Sequence, residues 1–116
     1  MPTFTYTARL SQPDHYRLVF DSPEYKVSSG AFLLLAAPGA TQFSRLGVVV
    51  AKKAIRRAVR RNRIKRLVRE QFRHHLFDTT IDLVVLARSG ADQMDNPRVW
   101  KELERLWRAL GQKVSP

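Results

Sequence analysis

Two rhythms of apolar residues alternate along this chain, one near the helical period and one made of short continuous runs. Ser11-Gln12-Pro13-Asp14 combines a capping hydroxyl, a first-turn proline and an acid three residues on; Tyr16, Val19 and Phe20 follow at helical spacing. That pattern predicts a short helix over about 12–20, ended by Asp21-Ser22-Pro23. Ala31 to Ala37 is an apolar run of strand length closed by Pro38-Gly39, and Leu46 to Ala51 is a second, rich in valine. These two read as antiparallel neighbours joined by the loop at 38–45, with room for another strand near Tyr25 to Ser29. From about Arg56 to Leu76 the period turns helical. Leu67, Val68, Gln71 and Phe72 fall within roughly 80° of Ile64, while Asn62, Arg63, Lys65, Arg66, Arg69 and Arg73 point away. Ile81 to Ala87 is a further strand-length run, and Asn96-Pro97 opens a last helix in which Val99, Leu103, Leu106, Trp107 and Leu110 share a face before Gly111.

The order α-β-β-β-α-β-α suits an α+β domain, one small sheet with helices packed on it. The central helix joins two strands able to lie in that sheet, which makes it a crossover helix with its apolar side inward. At 116 residues, 44% of them apolar or aromatic, the chain fits a single domain over 1–116, its core at about 9–110 and its ends at 1–8 and 112–116 loosely held. The longest uncharged apolar-rich run, Val27 to Thr41, is interrupted by Gly30, Pro38 and Gly39, and its strongly apolar part is well short of the roughly 20 residues a membrane span needs. Met1 to Leu10 lack the features of a secretion signal. The absence of cysteine removes disulfides, cysteine-zinc sites and thiol nucleophiles, and suits the cytoplasm.

Charge changes this picture at the crossover helix. The net charge is +11, and the 22 residues from Lys52 to Arg73 hold eleven cations against one acid, Glu70. The rest of the chain is nearly balanced. A solvated helix face usually mixes both signs, because like charges four residues apart repel by about 0.2–0.5 kcal/mol a pair. Arg57, Arg61, Lys65, Arg69 and Arg73 succeed one another at that spacing with no acid among them. A fold tolerates this most easily when an outside polyanion supplies the negative charge, which points to nucleic acid.

Arg61-Asn62-Arg63, continuing through Ile64 to Lys65-Arg66, gathers guanidinium forks and an amide near a helix start, all donors to phosphate oxygens. Tyr16 and Phe20, one turn apart, suit either base stacking or the core; spacing favours the core, since Val19 shares much of their face. His74 and His75 are adjacent, so their rings point about 100° apart and make poor joint ligands, and His15 stands alone. Asp78, Asp82, Asp92 and Asp95 match no metal loop. No phosphate loop or nucleophile elbow is present, so a metal-dependent nuclease acting alone is disfavoured and a binder without catalytic residues of its own is expected.

Arg45-Leu46-Gly47, Val50-Ala51-Lys52-Lys53, Ala58-Val59 and the run from Arg60 to Arg73 resemble the protein-subunit family of bacterial ribonuclease P. Arg9-Leu10, Tyr16-x-x-Val19-Phe20, Asp82 to Arg88 and Leu103 to Arg108 continue the likeness over about residues 9–108. The resemblance implies a left-handed crossover connection, against the usual hand. It also implies a subunit that binds a catalytic RNA, one protein per RNA, and the 5′ leader of precursor tRNA. Hydrolysis of one phosphodiester bond would belong to the RNA and its Mg²⁺, with no catalytic residue on the protein. Carried over, Arg61, Asn62, Arg63, Lys65, Arg66 and Arg69 would face the RNA with Lys52 and Lys53 nearby. Arg57, Arg60 and Arg73 from the same segment complete the expected RNA-binding set. Tyr16 and Phe20, with Arg9 and Arg17, would hold the leader. Tyr16 stands where the family commonly has Phe, and Leu35, on the strand expected to floor that cleft, is aliphatic where some members carry an aromatic. A non-catalytic RNA- or DNA-binding protein of ribosomal or nucleoid type would explain the same charge.

Overall fold

The computed structural model describes residues 19–21, 23–39, 42–75, 77 and 79–114. Of the helix expected over 12–20, Val19 and Phe20 fall among these and are helical, with Asp21; its other residues, His15, Tyr16 and Arg17 among them, lie outside the described residues, as do Arg9 and Asp78. Strands β1 (Tyr25–Ser28), β2 (Phe32–Pro38) and β3 (Arg45–Val50) precede helix α1 (Ala58–Phe72). Strand β4 (Ile81–Ala87), the short helix α2 (Ser89–Asp92) and the long helix α3 (Asn96–Val114) complete the order.

The four strands lie in the order β1-β2-β4-β3, with β1–β2 and β2–β4 antiparallel and β3–β4 parallel. The expected pairing of β2 with β3 is therefore wrong: β4 sits between them. The reason is burial. β4 is apolar at every position but Asp82, and only a central place covers both faces of such a strand. β1, whose Tyr25 and Val27 alternate with exposed Lys26 and Ser28, takes the edge.

Because side chains alternate along strands, the register sorts the sheet into two faces. Phe32, Leu34 and Ala36 lie on one face with Leu46, Val50, Leu83 and Val85, in the main core with the buried sides of α1 and α3. Leu35 and Val84 lie on the other face, where Val19 covers them and Leu33, Val49 and Leu86 pack around them.

Helix ends depart from expectation for local reasons. α1 starts at Ala58, two residues late, because Ile55 is fully buried and anchors the turn before it. It closes early as His74 and His75 donate from their N–H groups to the Gln71 and Phe72 carbonyls in tighter i to i+3 turns. The unforeseen α2 is packed beneath the β1–β2 turn, and a Cβ on Gly90 would stand 2.8 Å from the Gly30 carbonyl oxygen, so glycine permits that approach. Asp95 caps α3, its Oδ1 accepting from the Arg98 N–H at 3.0 Å. α3 runs through Gly111 to Val114, whose side chain is buried, so the end expected to be loose from 112 is helical for three residues more.

Candidate nucleic-acid interface

The inner side of α1 is an ordinary apolar stripe: Ile64, Val68 and Phe72 are buried against the sheet and α3. Gln71 is buried with them and satisfies two polar groups of α3. Its Nε2 donates to the Trp100 carbonyl at 2.9 Å, and its Oε1 accepts from the Trp107 indole N–H at 3.0 Å. These contacts fix the rotation of α1 and hence which residues face outward.

The outer side divides into presented and held residues. Lys52, Lys53, Arg56 and Arg57 are exposed on the turn leading into α1, and Asn62 and Arg66 are exposed on the helix. Lys65, Arg69 and Arg73 are half-exposed beside them. The helix start has neither a side-chain cap nor an acid in its first turn, so it presents a positive end among these cations. Lys53, Arg56, Arg57 and Arg60, with Ala54 and Asp92, line a cleft of about 510 Å³ there. Arg56 was absent from the expected binding set; its place in the cationic run was the available signal.

Three expected RNA ligands are turned toward the protein itself. Arg61 Nη1 donates to the Ile55 and Arg56 carbonyls at 3.0 and 2.7 Å, tying the turn to the helix. Arg60 engages Asp92, and Arg63 Nη1 donates to Asn96 Oδ1 at 2.7 Å. Arg63 is thus half-buried rather than pointing freely away, as the helical period alone suggests. At the far end Glu70 accepts from Arg73 at 2.9 Å and lies 3.3 Å from His74 Nε2. Partial desolvation pushes the Glu70 carboxyl up, but the interactions with Arg73 first and His74 second outweigh it and hold it below the usual range.

On the opposite face of the sheet Val19 is 1% exposed and packs on Leu35 and Val84, whereas the neighbouring Phe20 is 40% exposed. Val19 is the core residue of that pair, and Phe20 keeps a ring open to a partner. Leu35 is buried there as an aliphatic floor. Arg45 and Asp82 close the end of this face in a buried two-point pair, at 3.0 and 2.8 Å, and those hydrogen bonds hold the Arg45 guanidinium above its already high ordinary value. The remaining candidates have local uses: Asp82 serves Arg45, Asp92 serves Arg60, Asp95 caps α3, and His75 packs edge-on to Phe77 at 4.6 Å.

Fold and face together define a class, a small α+β domain whose cationic crossover helix is built for a polyanionic partner. The family model for ribonuclease P matches residues 4–111. A ribonuclease P protein component from Stutzerimonas stutzeri (strain A1501) is 45% identical over 103 residues, 88% of this chain and 79% of the relative. The Staphylococcus aureus RNase P protein superposes with a TM-score of 0.81 at 27% identity, covering 88% of this chain and 94% of that one. The Thermotoga maritima RNase P protein superposes with 0.72 at 31%, covering 86% and 96%. The chain belongs to the ribonuclease P protein family.

Proposed function

We propose that the cationic face of α1 and the turn before it seat this subunit on the catalytic RNA of ribonuclease P, while the second face of the sheet receives the single-stranded 5′ leader of precursor tRNA. The chain shares by family the role of ribonuclease P in 5′ processing of tRNA. The observation that carries the reading is the outward row of Lys52, Lys53, Arg56, Arg57, Asn62 and Arg66, exposed beside a helix start that has no acid of its own. Phosphate oxygens are the counter-charge such a surface lacks. The open ring of Phe20, next in the chain to the Val19 that covers Leu35, supports stacking of an unpaired base, a contact worth about 1–3 kcal/mol.

Catalysis belongs to the RNA on this reading. Asp82, Asp92 and Asp95 are each engaged with an arginine or a helix cap, which supports a reading in which Mg²⁺ is held mainly by the RNA partner. One copy of the chain acts per RNA, in the cytoplasm.

The test is multiple-turnover cleavage of a precursor tRNA by a bacterial ribonuclease P RNA at low Mg²⁺, with and without this chain, and with the chain alone. Stimulation that needs both components is expected. Salt-sensitive RNA binding without stimulation would leave only a general nucleic-acid binder of ribosomal or nucleoid type, and cleavage by the chain alone would move catalysis to the protein.

A further inference from the structure

Two arginines of α1 leave the outer face for the corner between α2 and α3. Arg60 Nε donates to the Asp92 carboxylate and Nη2 to the Asp92 backbone carbonyl. One helical turn on, Arg63 Nη1 donates to Asn96 Oδ1 at 2.7 Å, and its Nη2 is buried. Asp92 and Asn96 bracket the corner, so the two helical arginines form two rungs between α1 and a segment more than thirty residues away. Asp92 is also the one acid lining the cleft, where Lys53, Arg56 and Arg57 are gathered. Attraction for a polyanion would be stronger there without a carboxylate. Its presence among these cations is explained by what it holds.

Resting on the RNA-binding reading above, we infer that Asp92 and Asn96 are positioning residues for the RNA face. They fix Arg60 and Arg63 as struts, and the struts set α1 and the cleft so that Lys53, Arg56 and Arg57 meet phosphates in a preformed arrangement. Arg60 and Arg63 make no phosphate contact themselves. Preforming the surface lowers the ordering cost of binding.

Charge and positioning predict opposite signs for one substitution. Asp92→Ala raises the net charge by one, so attraction alone tightens RNA binding; loss of the strut weakens it by about three- to tenfold, the scale of one hydrogen bond. Binding of a ribonuclease P RNA, titrated over a range of salt with wild type, D92A, D92N, R60Q, N96A and D92A/R60Q, separates them. The expected result is a parallel displacement for D92A, R60Q and N96A, with the log–log salt slope unchanged, and partial recovery in D92N, which keeps an acceptor oxygen. The double variant is expected to bind no more weakly than either single, because both break one contact. Equal or tighter binding by D92A, or an R60Q slope shallower by about 0.7–0.9, the share of one phosphate, overturns the inference. Thermal denaturation accompanies each variant, and D92N and R60Q decide the matter if D92A does not fold. Wild-type protein that shows no salt-dependent RNA binding would instead overturn the reading beneath.

Discussion

α1 and α3 lie side by side over the same face of the sheet, alike inside and different outside. Inside, Ile64, Val68 and Phe72 of one and Leu103, Leu106 and Leu110 of the other are buried in one core, with Gln71 linking the two. Outside, α3 carries its own counter-ions: Arg105 pairs with Glu102 and Arg108 with Glu104, both at 3.0 Å. α1 has one acid, Glu70, near its end, serving Arg73 and His74. Exposed pairs of this kind are worth about 0.3–0.5 kcal/mol in a helix, too little to decide the stability of either element. The difference lies in the field left over. α3 answers two of its five cations with acids one turn away, whereas α1 sets six cations against Glu70 alone, and more of its field extends into solvent, where a polyanion can use it.

The inner likeness is the easiest part to break. Ile64→Ala and Leu103→Ala are each expected to cost about 2–5 kcal/mol in urea unfolding, and a much smaller loss in either would show that one helix contributes little to the core. Gln71→Leu tests the link: it leaves the Trp107 indole N–H without its acceptor, at about 1–3 kcal/mol by the same measurement. The outer contrast is sharpened by pairing Arg66→Ala with Arg108→Ala. Both are expected to change stability by less than about 0.5 kcal/mol. Only the first lowers the salt slope of RNA binding, by about 0.7–0.9. Equal slopes in the two variants would erase the distinction between the helices.

The smallest effect lies at the meeting of both helices, where His75 packs against Phe77 and Trp107. Burial holds its imidazole below the ordinary histidine value, so the folded state takes up the proton at lower pH than the unfolded chain does. Stability from this group is therefore full above about pH 6.5 and falls as pH drops from there to the folded value. Thermal denaturation between about pH 7.5 and 5.5 is expected to show a steeper fall for wild type than for His75→Phe, and parallel curves would remove His75 from the account.

Elements and charge are legible along the chain because each depends on residues a few positions apart. The period around Ile64 marks the buried side of α1, the valine-rich run marks β3, and the cation count from Lys52 to Arg73 marks the face that needs a partner. Pairing and orientation are settled elsewhere. β2 and β3 read as neighbours until β4, which needs cover on both faces, is placed between them. Val19 and Phe20 share an apolar pattern, but only the sheet decides that the first is buried on Leu35 and the second is left open. The arginines of α1 show the limit most plainly. Arg60, Arg63 and Arg66 follow one another at three-residue spacing, identical in chemistry. The helical period sets the direction in which each leaves the axis; what stands in that direction, Asp92 and Asn96 for two of them, depends on how distant segments pack.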